Sequence, residues 1–370
     1  MIGAYIHIPF CNNICSYCDF SKVFYNKKIV NDYLNELELE IKDTYKGEEL
    51  NTIYIGGGTP SALDIKQLEK LFNIISKLKI SNIKEYTIEC NFDSITKEKL
   101  DLFKKYNINR ISFGLESTIN KNLKLLNRTL DKNKVKKIIK YCHDIGINNI
   151  NVDLIYALPN ETIDDLKKDI EFVKSLDITH ISTYSLMIEE HTVLNNKKTK
   201  NINEDLDREM YELINKELKE YDHYEISNFA KSKKYRSIHN YSYWENKHYY
   251  GFGLSSSGYL NNIRYTRTRS LTKYLNHDYM KDNGIEFLNT KDKIYYEIIL
   301  RLRTKEGINL KDFKNTYHND LEKYYDYKDL LERNLLQLKN NFLSIPPNLW
   351  YISNSIIIEL LEGEIDGATI

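Results

Sequence analysis

The chain carries no net charge. Its 53 Lys and Arg balance 53 Asp and Glu, which removes any global pull toward nucleic acid or anionic lipid and points to no polyanionic partner. Long apolar runs are also missing. The opening residues enter an apolar stretch that His7 and Pro9 interrupt; it is too short and too polar for a signal peptide or membrane span, so a cytoplasmic protein without membrane insertion is expected. Cysteine is sparse, with 5 in 370 residues. Without a secretory signal this argues against a disulfide framework and leaves metal binding or thiol chemistry as the readings to test. What abounds is Asn, Lys, Ile and Tyr, the last at 30 residues, and this reads first as a genome-wide compositional bias.

The length suits one large domain plus a smaller one. Short apolar runs at residues 4–8, 52–55, 85–89, 110–113, 149–155 and 179–186 read as strands. Segments of helical period follow at 30–45, 65–78, 96–106, 132–145 and 162–176. Repeated β-α units imply parallel strands, because each helix supplies the crossover. The expected fold class is α/β, a partial, TIM-like (β/α)6 barrel with a smaller C-terminal domain. Loops after the strands of such a barrel share one face, so strand-end residues converge there. The expected division is a barrel core at 1–195, an aromatic-rich extension at 196–290 and a small helical or winged-helix-like domain at 291–370.

Cys11, Cys15 and Cys18 have the spacing CxxxCxxC in the loop after the first strand. Three thiolates there can each hold one iron of a cubane cluster, leaving the fourth iron open to a small molecule with an amine and a carboxylate, such as S-adenosylmethionine (SAM). The competing reading is a zinc knuckle completed by His7. Cys90 and Cys142 read as buried small apolar residues. Gly56, Gly57 and Gly58, with Thr59, follow the second strand, where glycines let backbone groups approach a ligand or simply make a tight strand-to-helix turn. Glu89, Glu116 and Asp153 stand at or near strand ends, placed to meet an amine or ribose hydroxyls, and Arg128 could meet a carboxylate; structural ion pairing is the alternative for each.

The run from Tyr5 through His7, Pro9 and Cys11 to Tyr17 and Phe20 resembles the radical SAM family that contains oxygen-independent coproporphyrinogen oxidase and the HemW-type heme chaperones. The likeness continues through residues 56–61, 111–114, 153–156, 158–159 and 224–230. It implies a radical SAM barrel with a 4Fe-4S cluster on Cys11, Cys15 and Cys18. It also implies SAM contacts from Tyr5, Tyr17, Gly57, Gly58, Thr59, Glu89, Glu116, Arg128 and Asp153. Four positions depart from the family: Glu116 replaces a usual Gln, Phe92 a usual Pro, Ala157 a usual Gly and Leu130 a usual His.

Two features separate the branches. The oxidases typically carry a fourth cysteine two places after the triad, where this chain has Phe20. Residues 239–244 match the HNxxYW pattern of the chaperone branch. The resemblance therefore implies heme as a third cofactor, a heme-acceptor protein as partner, and an electron donor such as flavodoxin or ferredoxin. His239 is the candidate heme ligand, with Tyr241, Tyr243 and Trp244 as flat apolar surface; a packed, hydrogen-bonded core histidine is the alternative. Oxidative decarboxylation of coproporphyrinogen propionates is the alternative function, and whether SAM is turned over stays open.

Overall fold

The computed structural model describes residues 1–365. Its six expected parallel strands form side by side in chain order: β1 (Gly3–Ile8), β2 (Thr52–Gly57), β3 (Glu85–Asn91), β4 (Arg110–Glu116), β5 (Asn149–Tyr156) and β6 (His180–Ser185). Between them run α1 (Lys27–Thr44), α2 (Ile65–Ile75), α3 (Lys97–Lys105), a short α4 (Asn120–Leu126), α5 (Lys132–Asp144) and α6 (Ile163–Lys174). Side-chain oxygens of Asn26, Asp64, Thr96, Asp131 and Thr162 cap the five expected helices, satisfying N–H groups that the first helical turn leaves unpaired.

The strand sequences alternate over most of their length, because successive side chains leave opposite faces of a strand. Ile6, Ile8, Ile53, Ile55, Ile111, Phe113, Ile150 and Val152 are fully buried in the main apolar core. The alternate positions are polar yet also buried: Thr87, Arg110, Ser112, Asn151, His180 and Ser182. A strand order of 1-2-3-4-5-6 with right-handed crossovers sends every helix to one side. The apolar face therefore meets the helices and the polar face is left to line the inside of the curved sheet.

The segment expected as a separate extension continues this sheet. β7 (Asp222–Glu225) and β8 (Asn228–Ala230) add antiparallel strands beside β6. β9 (Tyr249–Phe252) adds a seventh parallel strand, on the far edge beside β1, and β10 (Ser257–Leu260), β11 (Ile263–Arg267) and β12 (Met280–Phe287) follow it as a meander. The chain reaches β7 through α7 (Glu204–Glu217) and crosses from β8 to β9 through α8 (Ile238–Trp244). Beyond β12 lie α9 (Thr290–Arg301), β13 (Ile308–Asn309), α10 (Leu310–Tyr317), β14 (Gln337–Lys339), β15 (Phe342–Ser344) and α11 (Ser353–Glu362), with a separate sheet ordered β13-β15-β14.

Candidate functional site

The cysteine loop leaves the C-terminal end of β1 and is stitched to its neighbours by backbone bonds: Thr59 N–H donates to Phe10 O at 2.9 Å and Ser16 N–H to Leu126 O at 3.1 Å. All three thiols are unbridged, with Cys11 buried and Cys15 and Cys18 half-buried. Burial pushes the Cys11 thiol up to about 11 and raises Cys15 and Cys18 as well. Burial thus favours the protonated thiols, and iron is the kind of charge that would displace those protons. Two donors already face the sulfurs: Thr59 Oγ1 lies 3.5 Å from Cys11 Sγ and Arg128 Nη1 3.6 Å from Cys15 Sγ.

A zinc knuckle fits this geometry poorly. His7 is buried with both ring nitrogens engaged, Nδ1 with Tyr5 OH at 3.0 Å and Nε2 with Ser21 O at 2.9 Å. Among the described residues no three His, Cys, Asp or Glu side chains close around a point that would hold a single ion. A cubane, which spreads its three thiolate ligands over separate irons, makes no such demand.

Around the triad the structure gathers the other strand-end residues. Glu116 ends β4 at φ 60°, past an irregularity in the β4–β5 register, and its carboxylate accepts from Tyr17 OH at 3.1 Å and pairs with Arg128 at 2.9 Å. The same guanidinium donates to Gly114 O at 2.8 Å. Burial alone would lower the Arg128 pKa, but Glu116 together with Cys15 and Tyr17 outweighs it and keeps the group firmly charged. Where the family has Gln, this chain therefore spends part of its arginine on its own carboxylate.

The glycine turn serves the fold as much as a ligand. A Cβ on Gly58 would lie 2.7 Å from the Pro9 carbonyl carbon, and Gly57, at φ +112°, would put one 2.5 Å from the His7 ring. Both glycines let β2 close onto the cysteine loop. Gly56 instead makes room for Glu89, whose carboxyl carbon lies 2.8 Å from where a Cβ would be. Glu89 accepts from Tyr54 OH at 2.8 Å and Gly57 N–H at 3.0 Å. Even so, desolvation holds its carboxyl up to about 7, which marks a half-buried carboxylate short of cationic partners. Asp153, one side-chain level nearer the C-terminal mouth in the strand register, is held by Asn151 Nδ2 at 2.8 Å and Ser112 Oγ at 3.2 Å. Tyr54, Asn151, Ser112 and Asn91, which donates to Thr59 Oγ1 at 3.2 Å, were not singled out from sequence. Polar residues at the alternate positions of apolar strands are the signal that marks them.

His239 is elsewhere. It packs against Gly3 and Thr52, the first residues of β1 and β2, at the opposite end of the strands from the cysteines, a span of about 16 Å at the usual rise per residue. The side chain is fully buried, with Nδ1 bonded to Thr52 Oγ1 at 2.9 Å, Nε2 to Tyr243 OH at 2.7 Å, and the ring stacked on Tyr54. Burial drives its pKa down to about 3. The expected heme ligand has the geometry of the alternative, a core histidine with no ring nitrogen free for iron.

Comparison with known proteins agrees with this architecture. Residues 5–173 match the radical SAM superfamily model and residues 288–351 the HemN C-terminal domain. The chain is 35% identical over 374 residues to the heme chaperone HemW of Lactococcus lactis subsp. lactis (strain IL1403), covering 98% of each chain. It is 36% identical over 354 residues to that of Bacillus subtilis (strain 168), covering 91% of this chain and 93% of the relative. The solved structure of coproporphyrinogen III oxidase (HemN) from Escherichia coli, a radical SAM enzyme, superimposes with a TM-score of 0.84 over 96% of this chain and 89% of the other. At 18% identity it shares the fold.

Proposed function

Because this chain belongs to the HemW family of the radical SAM superfamily, we propose that it is a heme carrier that delivers heme to an acceptor protein and holds a 4Fe-4S cluster and SAM at the mouth of its barrel. The observation that carries this reading is the end-to-end likeness to proteins named heme chaperone, joined to Phe20, 60% exposed, where the oxidase branch has its further cysteine. Cys11, Cys15 and Cys18 would hold the cluster. Thr59 and Arg128 would donate to the ligating sulfurs, which stabilises their negative charge. Glu89, half-buried and short of cationic partners, would take the SAM ammonium. Asp153 and Glu116 would take the ribose hydroxyls, and Tyr17 would orient Glu116. When reduced, such a cluster supplies one electron for cleaving the SAM C5′–S bond. The chain's own part is to position and exclude water. Among the described residues no helix is long and apolar enough to cross a membrane.

The test is anaerobic cluster reconstitution followed by heme titration and a coproporphyrinogen assay on one sample, with SAM and reductant present. Stoichiometric heme binding without vinyl product is the expected outcome. Accumulation of the decarboxylated porphyrinogen would place the chain with the oxidases instead.

A further inference from the structure

The cysteine loop leaves two of its own aromatic rings in solvent. Phe20 and Phe24 are 60% and 62% exposed, although both stand in the segment that carries the triad. Phe20 is two residues beyond Cys18, which keeps their Cα atoms within about 7 Å. Phe24 lies beside Cys11 in the short parallel pairing of Phe10–Cys11 with Val23–Phe24, closed by Tyr25 N–H donating to Cys11 O at 2.9 Å. The loop's backbone is pinned, yet these rings pack against little of their own chain, and exposed apolar groups gathered in this way mark contact surfaces.

Their surround is cationic in a chain without net charge. Lys22, between the two rings in sequence, donates to Cys18 O. Arg269, from the turn after β11, donates to Ser21 Oγ at 3.2 Å and Asp19 O at 2.8 Å. Both bond to uncharged oxygens, so neither charge is spent on a carboxylate. On the other side of the loop Leu194 N–H donates to Ser16 O at 3.0 Å, and the chain runs on into Lys197, Lys198 and Lys200, all exposed. None of these five cations has an ion pair among the described residues, and the acids of the same segments are Asp19, Glu189 and Glu190. Exposed aromatics with an excess of cations around them fit a protein with an acidic face, and opposite charge across such a contact speeds and orients the encounter. A protein seated on these rings stands within a few residues of two of the three thiols, the position from which a single electron reaches them.

We propose that Phe20 and Phe24, ringed by Lys22, Arg269 and the lysines at 197–200, are the docking face for an acidic one-electron carrier protein; the proposal rests on the cluster reading above. The carrier loses one electron and the cluster gains it, and no bond or proton moves. A small contact with a charged rim suits a partner that must leave once its electron is passed.

The full-length protein is reconstituted anaerobically, its iron is counted, and it is titrated by calorimetry with an acidic flavodoxin at low and at physiological ionic strength. Reduction is followed by the loss of cluster absorbance with reduced flavodoxin and, separately, with dithionite. Wild type is expected to bind flavodoxin with an affinity that falls as salt rises. Phe20→Asp/Phe24→Asp, at two exposed positions, should bind about tenfold more weakly and accept electrons from flavodoxin correspondingly slowly, while dithionite reduces it at the wild-type rate. Arg269→Gln, which keeps an N–H donor for the loop and drops the charge, should weaken binding about threefold and flatten the salt dependence. Iron content and melting temperatures equal to wild type establish that the variants are folded and loaded. A Phe20→Asp/Phe24→Asp protein that binds flavodoxin and is reduced by it like wild type overturns the face. So does a wild type that dithionite reduces but flavodoxin neither binds nor reduces, and so does a wild-type dimer that the double variant dissociates, which would assign the rings to a second copy of the chain. A wild type that takes up no iron overturns the cluster reading and the face with it.

Discussion

At the scale of single residues, the departures from the family pattern have physical counterparts. Ala157 adopts φ +62°, a backbone that glycine takes freely and that costs a Cβ-bearing residue about 1–2 kcal/mol, which explains why glycine is usual there. Phe92, in place of proline, stacks on Phe113 at 4.5 Å. The most consequential change is Glu116, because its carboxylate competes for Arg128 with any carboxylate brought by SAM. Glu116→Gln keeps an oxygen for Tyr17 and removes the competing charge. It should tighten SAM binding to the cluster-loaded protein by up to about tenfold, the equivalent of 1.4 kcal/mol. Equilibrium binding by calorimetry reads this, and weaker binding in the variant would show that the Glu116 charge does more for the ribose hydroxyls than it takes from Arg128. The substitution was legible in the sequence; the sharing of Arg128 among Glu116, Gly114 and Cys15 was not, because it depends on a loop 12 or more residues from each partner. Asparagine, read from composition as bias, has a structural use: among the described residues, ten of seventeen non-glycine positions with positive φ are Asn, the residue that best tolerates that region after glycine.

At the scale of elements, the sequence was most readable where patterns are local. The apolar runs and helical periods placed the six barrel strands and five helices, since alternation and the 3.6-residue period are imposed by burial of one face. β9 escaped. Its four residues, Tyr249–Phe252, sit in an aromatic-rich stretch, and their partner is β1, more than 240 residues earlier; no local signal encodes such a pairing. α8 is set by a similarly distant contact. Glu85, buried at the start of β3, accepts from Ile238 N–H at 2.8 Å and His239 N–H at 3.0 Å. It also offsets the charge of the buried Arg110. The helix therefore plugs the floor of the barrel through its N-terminal N–H groups as well as through the His239 ring. Glu85→Ala removes these acceptors and leaves Arg110 short of a counter-charge, at a cost of about 3 kcal/mol. The melting temperature should fall by several degrees, and Glu85→Gln, which keeps a carbonyl oxygen, should fall less. An alanine variant that melts with wild type would remove Glu85 from the plug.

At the scale of the molecule, the structure differs from the division expected at residue 195, and the reason is the sheet. β1 sits between β2 and β9, so a chain ended at 195 would expose the backbone edge of a strand that is central in the folded protein, an invitation to aggregation. The meander is tied back independently. Glu40 on α1 is fully buried, paired with Arg267 at 2.7 Å, and accepts from Tyr274 OH at 2.6 Å and Gly253 N–H at 2.8 Å. Without residues 250–275 that carboxylate would remain in the core with no partner, a situation that costs several kcal/mol. Residues 1–195 expressed alone should therefore be insoluble or lack a cooperative melt. Residues 1–288, which keep the whole twelve-stranded sheet and lose the C-terminal helices, should be more soluble and retain the cluster-binding loop. Solubility, circular dichroism and iron content after reconstitution distinguish the two.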